Sequence, residues 1–188
     1  MTLEQTTSPN ELKIAILGEG GVGKTSLCKT YDYQKTFLDT SLTVAVEFHV
    51  MRRKFQGEDY TLQIWDLGGQ KQFRKMGVFA KFTAAISGAV VCFDLTDILT
   101  INSISEWFSF IPDNAPAILV GTKADLAKSD SFVLEEVQYM IDTYGFIDYI
   151  ETSALDVSSV ESVFSLLLTK IVELKSPHPF ANTPVASN

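Results

Sequence analysis

The chain has 188 residues, 46% of them hydrophobic, and its 15 lysines and arginines stand against 23 acidic residues for a net charge of −8. That length fits one domain with a sizeable core, and the acidic balance argues against broad, sequence-independent binding to nucleic acid or anionic membranes. No apolar run approaches the roughly 18 residues of a membrane-spanning helix, and the opening MTLEQTTSPNE has neither the basic nor the apolar region of a signal peptide.

Taken in chain order, residues 12–18 (LKIAILG) are an apolar run that predicts a first strand. The run passes into GEGGVGKT, after which a helix is expected from about Lys24. Residues 42–55 alternate and carry β-branched and aromatic residues, a strand by its period of two; QGED reads as a turn, and residues 60–67 (YTLQIWDL) as the returning strand of an antiparallel hairpin. An irregular helix is expected over 70–82. Residues 88–95 (GAVVCFDL) are apolar throughout, as in a central strand covered on both faces. Residues 103–111 read as a helix ended by Pro112, and 116–122 (PAILVGT) as another buried strand. A helix over 131–145 closes at Gly145, residues 146–152 form the last strand, and 157–175 the last helix. That helix carries Val157, Val160, Val163, Phe164, Leu167, Leu168 and Ile171 on one face.

Six strands and five helices in alternation predict a doubly wound α/β sheet, mostly parallel, with one antiparallel edge strand. The domain is expected over 11–175, between a flexible N-terminus at 1–10 and a disordered tail at 176–188. Cys28 and Cys92 both lie in apolar segments, which predicts buried, reduced thiols and fits a cytosolic compartment.

The chemistry concentrates at the strand ends. Gly18, Gly23, Lys24 and Thr25 satisfy the phosphate-loop spacing G-x-x-x-x-G-K-[ST] between a strand and a helix. In such a loop the backbone N–H groups of Gly20, Gly21, Val22 and Gly23, with Lys24, Thr25 and Ser26 at the helix start, converge on an anion. Lys24 reaches the β- and γ-phosphates, and the Thr25 hydroxyl suits Mg²⁺, a hard cation that prefers oxygen. Asp66, at the carboxyl end of an apolar strand, is the companion carboxylate, holding the metal through water. Gly68 and Gly69 allow a sharp turn that offers a backbone N–H to a terminal phosphate, and Gln70 is placed to orient an attacking water.

With these motifs in this order, the chain resembles a Ras-superfamily small GTPase over about residues 11–175, and its fold is expected to be the P-loop G domain of that family. WDLGGQ is similar to the D-x-x-G-Q switch II motif, in the Gly-Gly form of Arf and some septation GTPases. SLTVAVEF is similar to the switch I stretch of Rab proteins. The resemblance implies that Thr43 binds Mg²⁺ and the γ-phosphate in the triphosphate state. It implies guanine recognition by GTKADL and ETSAL. There Asp125 accepts from the guanine N1–H and exocyclic amine, Lys123 lays its stem against the base, and the Ala154 N–H points at O6 between Ser153 and Leu155, with Thr122 heading the first motif. It further implies a GTP-hydrolysing switch that cycles between GTP and GDP, with an exchange factor, a GTPase-activating protein and effectors as partners.

The chain departs from the family in several places. Thr122 replaces the usual asparagine, as in Rho-type members, which predicts weaker bonding to the phosphate loop. The stacking aromatic falls at Thr36, with Phe37 one position later. Lys71 follows Gln70 where glutamate is common, while Gly20 keeps the small residue that hydrolysis requires. Arg52, Arg53 and Arg74 read as surface charges, so no arginine acts in cis and intrinsic hydrolysis is expected to be slow. The tail offers no cysteine and Thr2 stands where myristoylation needs glycine, so a cytoplasmic protein reaching membranes through partners is expected. Phe48 and Trp65 are candidate effector anchors, with burial in the core as the preferred reading. Two other readings compete: a nucleotide-locked binding module with little hydrolysis, and a P-loop ATPase or kinase, against which Asp125 and Ala154 argue.

Overall fold

The structure, a computed structural model, describes residues 10–34, 46–70, 79–127 and 131–175. Its six strands are β1 (Glu11–Gly18), β2 (Val46–Phe55), β3 (Glu58–Leu67), β4 (Gly88–Asp94), β5 (Ala117–Thr122) and β6 (Tyr149–Glu151). They form one sheet in the order β2-β3-β1-β4-β5-β6. All pairs are parallel except β2 with β3, so the antiparallel strand lies at an edge, as the hairpin signal predicts. The described α-helices are α1 (Lys24–Tyr33), α2 (Phe79–Thr83), α3 (Ile104–Phe108), α4 (Ser131–Tyr144) and α5 (Val157–Lys175), with a 3₁₀ segment at Ile98–Ser103.

Strand alternation sorts the core into two layers, because successive side chains leave opposite faces of a sheet. Leu12, Ile14 and Ile16 of β1 join α1 and α5, where Phe164 stacks on Tyr31 at 3.7 Å. Ala15 and Leu17 face the other way, toward Phe79, Trp107 and the buried side of α4. On α5, Val160, Val163, Phe164, Leu167, Leu168 and Ile171 are buried as the spacing predicts, while Val157 is half-exposed. Both cysteines are buried and reduced.

Several boundaries differ from the expectation. The hairpin turn is Gln56-Gly57 alone, and pairing resumes at once with Phe55 opposite Glu58. Both turn residues have positive φ, 50° and 88°, the two-residue geometry whose twist matches that of the strands. The helix expected over 103–111 is half as long: a 3₁₀ segment leads in, and after Phe108 the chain tightens through Phe110 N–H to Trp107 O and Ile111 N–H to Phe108 O. The last strand shrinks to three residues, since Phe146 turns into the second core layer. Of the helix expected over 70–82, positions 71–78 lie outside the described residues, and helix α2 begins at Phe79.

Candidate functional site

The parallel strands share one direction, so their carboxyl ends gather the sequence motifs along one rim of the sheet. At the end of β1, Gly18 has φ +141°, and a Cβ there would stand 2.3 Å from the carbonyl oxygen of Cys92. Glycine is required because the loop leaves the sheet against the backbone of β4. Gly21 and Gly23 also have positive φ, 79° and 96°, and Gly23 caps α1 in that left-handed conformation. The turn sets the start of α1 directly after the loop, and the positive end of a helix dipole favours an anion at such a place.

Lys24 folds back over the loop. Its ammonium, 5% exposed as a residue, donates to the carbonyls of Gly18 at 2.9 Å and Glu19 at 2.7 Å. Thr25 and Ser26 are buried, and the Thr25 hydroxyl donates to Oδ2 of Asp66, which reaches the loop from the end of β3. Burial pulls the Lys24 ammonium below the usual lysine range, resisted chiefly by Asp66. Burial likewise pushes the Asp66 carboxyl above its ordinary value, resisted by Lys24 and the Thr25 hydroxyl. A hydroxyl and a carboxylate in hydrogen-bond contact are hard oxygen donors of the kind that holds Mg²⁺ alongside phosphates and waters. Among the described residues there is no cluster of three His, Cys, Asp or Glu groups for a metal.

Gly69 presses on the loop. A Cβ added there would lie 2.1 Å from the Glu19 carbonyl carbon and 2.3 Å from the Gly20 nitrogen. Gln70 follows, and a Cβ on Gly20 would sit 3.8 Å from its Cγ. Thr43, Thr36, Phe37, Lys71 and Arg74 lie outside the described residues.

The second half of the rim joins β4, β5 and β6. Thr122 ends β5, buried, with its hydroxyl 2.5 Å from the Val22 carbonyl of the loop and 2.9 Å from the carbonyl of Phe93. The bond to the phosphate loop that asparagine would make is therefore present, although one hydroxyl proton serves two acceptors. Lys123 follows with φ 60°, and its ammonium lies 2.5 Å from Asp94 Oδ2. Asp125, exposed, accepts from the Ser153 hydroxyl at 2.5 Å. That hydroxyl also accepts the Leu155 N–H at 3.0 Å, and Thr30 of α1 donates to the Ala154 carbonyl at 3.2 Å. The two motifs at the β5 and β6 ends are thus one bonded unit, tied to α1.

Some expectations need correction. Phe48 is 49% exposed rather than buried, and Trp65 is half-buried. Phe48 meets Trp65 edge-on at 5.1 Å, Trp65 meets Phe82 at 5.3 Å, and the Lys13 ammonium lies 4.0 Å over the Trp65 ring. The cause is position: β2 is the edge strand, and His49 and Met51 are the residues it buries. Arg53 is not a plain surface charge. It donates to the carbonyls of Tyr31 at 2.7 Å and Asp32 at 3.1 Å, closing the carboxyl end of α1, and lies over the Tyr31 ring. Asp94 ends an apolar strand just as Asp66 does, but no sequence motif singles it out.

The family model described as "Ras family" matches residues 13–173. Among curated proteins, the chain is 31% identical to Ras-related protein RABA2d of Arabidopsis thaliana, over 93% of this chain and 81% of that protein. It is 29% identical to Ras-related protein RABD2a (90% and 84%) and 27% identical to Ras-related protein RABA2a (94% and 82%), both of the same plant.

Proposed function

This chain belongs to the Ras family of small GTPases and is Rab-like, and on that premise we propose that it is a switch that binds GTP and GDP and hydrolyses GTP. The observation that carries the reading is the bonded rim itself. A buried lysine and a threonine–aspartate pair sit at a glycine loop, and Thr122 joins that loop to the Asp125–Ser153 unit.

The loop N–H groups of Gly20, Gly21, Val22 and Gly23, with Lys24, Thr25 and Ser26, hold the phosphates. Thr25 would hold Mg²⁺ directly and Asp66 through water, and Thr43 would join them in the triphosphate state. The metal, when bound, neutralises charge on the β- and γ-phosphate oxygens. Gln70 orients a water whose oxygen attacks the γ-phosphorus as the bond to the β–γ bridging oxygen breaks, releasing GDP and phosphate. Lys24 and the Gly69 N–H receive the developing charge. At the base, Asp125 accepts two guanine donors, Lys123 supports the ring and Ala154 donates to O6 between Ser153 and Leu155. Hydrolysis is slow until an activating protein adds a cation, and an exchange factor and effectors read the switch segments. The exposed Phe48 and its neighbour Trp65 offer effectors an apolar anchor. A cytoplasmic location, with membrane recruitment through partners, belongs to the same proposal.

The test is GTP turnover by the purified protein with Mg²⁺, beside Gln70→Leu, together with identification of the nucleotide that co-purifies. Slow wild-type turnover that the variant loses supports the switch. Bound guanine nucleotide with no turnover in either protein gives the nucleotide-locked module instead. Adenine nucleotide in the site overturns the base assignment.

A further inference from the structure

Asp94 ends β4 on the rim, and nothing in the phosphate or water chemistry above uses it. It is 6% exposed, and both carboxylate oxygens are engaged. Oδ1 accepts the Thr96 N–H at 2.8 Å and the Thr96 hydroxyl at 2.7 Å, and Oδ2 accepts the Lys123 ammonium at 2.5 Å. Its own N–H donates to Thr100 Oγ1 at 2.9 Å, so the carboxylate stands on a fixed support. Burial raises its carboxyl, but the Lys123 ammonium and the two Thr96 donors outweigh that and hold it below the ordinary carboxylate value.

An ion pair whose work was to fasten β4 to β5 would repeat a junction that the sheet already makes. Asp94 is the register partner of Thr122, and the Leu95 N–H donates to the Thr122 carbonyl at 3.1 Å. With the lysine side chain 34% exposed, the pair also adds little to folding. What it does do is fix the far end of a four-carbon chain. The near end is fixed already: Lys123 is held at φ 60°, its carbonyl accepts the Leu126 N–H, and the Ala124 N–H donates to Thr152.

We propose that Asp94 is a positioning residue for guanine recognition, holding the Lys123 ammonium so that the lysine stem is spread as a platform before the base arrives. The inference rests on the reading of Lys123 and Asp125 as the base-reading residues. A lysine stem otherwise loses several rotatable bonds' worth of freedom when it packs on a ligand. Ordering it beforehand removes that cost from binding, and the benefit appears in residence time.

The experiment is the release rate of N-methylanthraniloyl-GDP from the full chain with Mg²⁺, for the wild type, Asp94→Asn, Lys123→Met and the double variant. Asparagine keeps the shape and the Thr96 bonds but turns an amide toward the ammonium. Each single variant is expected to release the nucleotide about tenfold faster, the loss of one charge-assisted contact. The double variant is expected to be no faster than Lys123→Met alone, since Asp94 acts through that side chain. Unchanged release in Asp94→Asn, beside faster release in Lys123→Met, overturns the positioning role and leaves the base reading standing. Effects that multiply in the double variant overturn it too, because they mark a structural role independent of Lys123. Unchanged release in Lys123→Met overturns the base reading, and the inference with it. If Asp94→Asn does not fold, Thr96→Val serves in its place, with about two- to threefold faster release expected and none in the Lys123→Met background.

Discussion

The two ends of the rim are built differently. At the phosphate end, backbone lies against backbone: Gly18 against Cys92, and Gly69 against Glu19 and Gly20. The polar side chains there bond to one another and to the loop, Lys24 to two carbonyls and Thr25 to Asp66. On the proposed reading, a nucleotide and its metal would enter among those bonds. At the base end, side chains hold side chains in a ready posture: Asp94 holds Lys123, Ser153 holds Asp125, and Ser159 accepts the Ser153 N–H. The difference teaches that the contacts among Asp94, Lys123, Ser153 and Asp125 are made by folding alone. On the proposed reading the other end would be completed by what binds, which is how a site can report whether a terminal phosphate is present.

The strongest way to break the comparison is at the base end. Asp125→Asn removes the acceptor pair for the guanine donors and is expected to weaken GDP binding by about 10²- to 10⁴-fold, since buried polar selectivity is lost with its partner. Equilibrium competition between GDP and ADP measures it, and unchanged GDP affinity would end the claim that this end reads the base. Next comes the backbone packing. Gly18→Ala places a Cβ on the Cys92 carbonyl and forces a left-handed φ, so urea unfolding is expected to show a loss of about 2–4 kcal/mol. A loss within error would mean that this end tolerates side chains and is not set by backbone approach.

The link between the ends offers a subtler test. Thr122 has one proton for the carbonyls of Val22 and Phe93, whereas asparagine has two N–H donors. Thr122→Asn is expected to slow GDP release about three- to tenfold, the value of one added hydrogen bond. Faster release would show that the hydroxyl is already the better tether.

The smallest effect at neutral pH lies beneath the phosphate loop. Burial pushes the Cys92 thiol from 9.0 up to about 12, with Lys24 opposing, and burial pushes the Tyr31 phenol from 10.0 to about 12, with Arg53 opposing. Raised folded values mean that stability is complete below the unfolded values and lost as pH climbs from about 9 toward 12. Urea midpoints across that range should fall for the wild type and fall less for Cys92→Ala; equal slopes would remove the thiol from the explanation.

Much of this was legible in the sequence because it depends on local order. The glycine spacing of the loop, the period of two in β2 and β3, the apolar run of β4 and the one-sided helix α5 each express a backbone preference or a buried face, and those survive in a linear string. The strand directions follow from the same alternation, and with them the gathering of Lys24, Asp66, Asp125 and Ser153 on one rim. Other features needed the folded chain. Whether Phe48 is core or surface depends on β2 being the edge strand. Arg53 becomes a helix cap only because the hairpin lies beside the end of α1. Asp94 and Lys123 are 29 residues apart, and their pairing exists only because β4 and β5 lie side by side with Asp94 opposite Thr122. Local pattern determines which elements form and which way their faces point. Which charged groups meet depends on register and close packing between segments far apart in the chain, and a linear pattern holds no direct record of that.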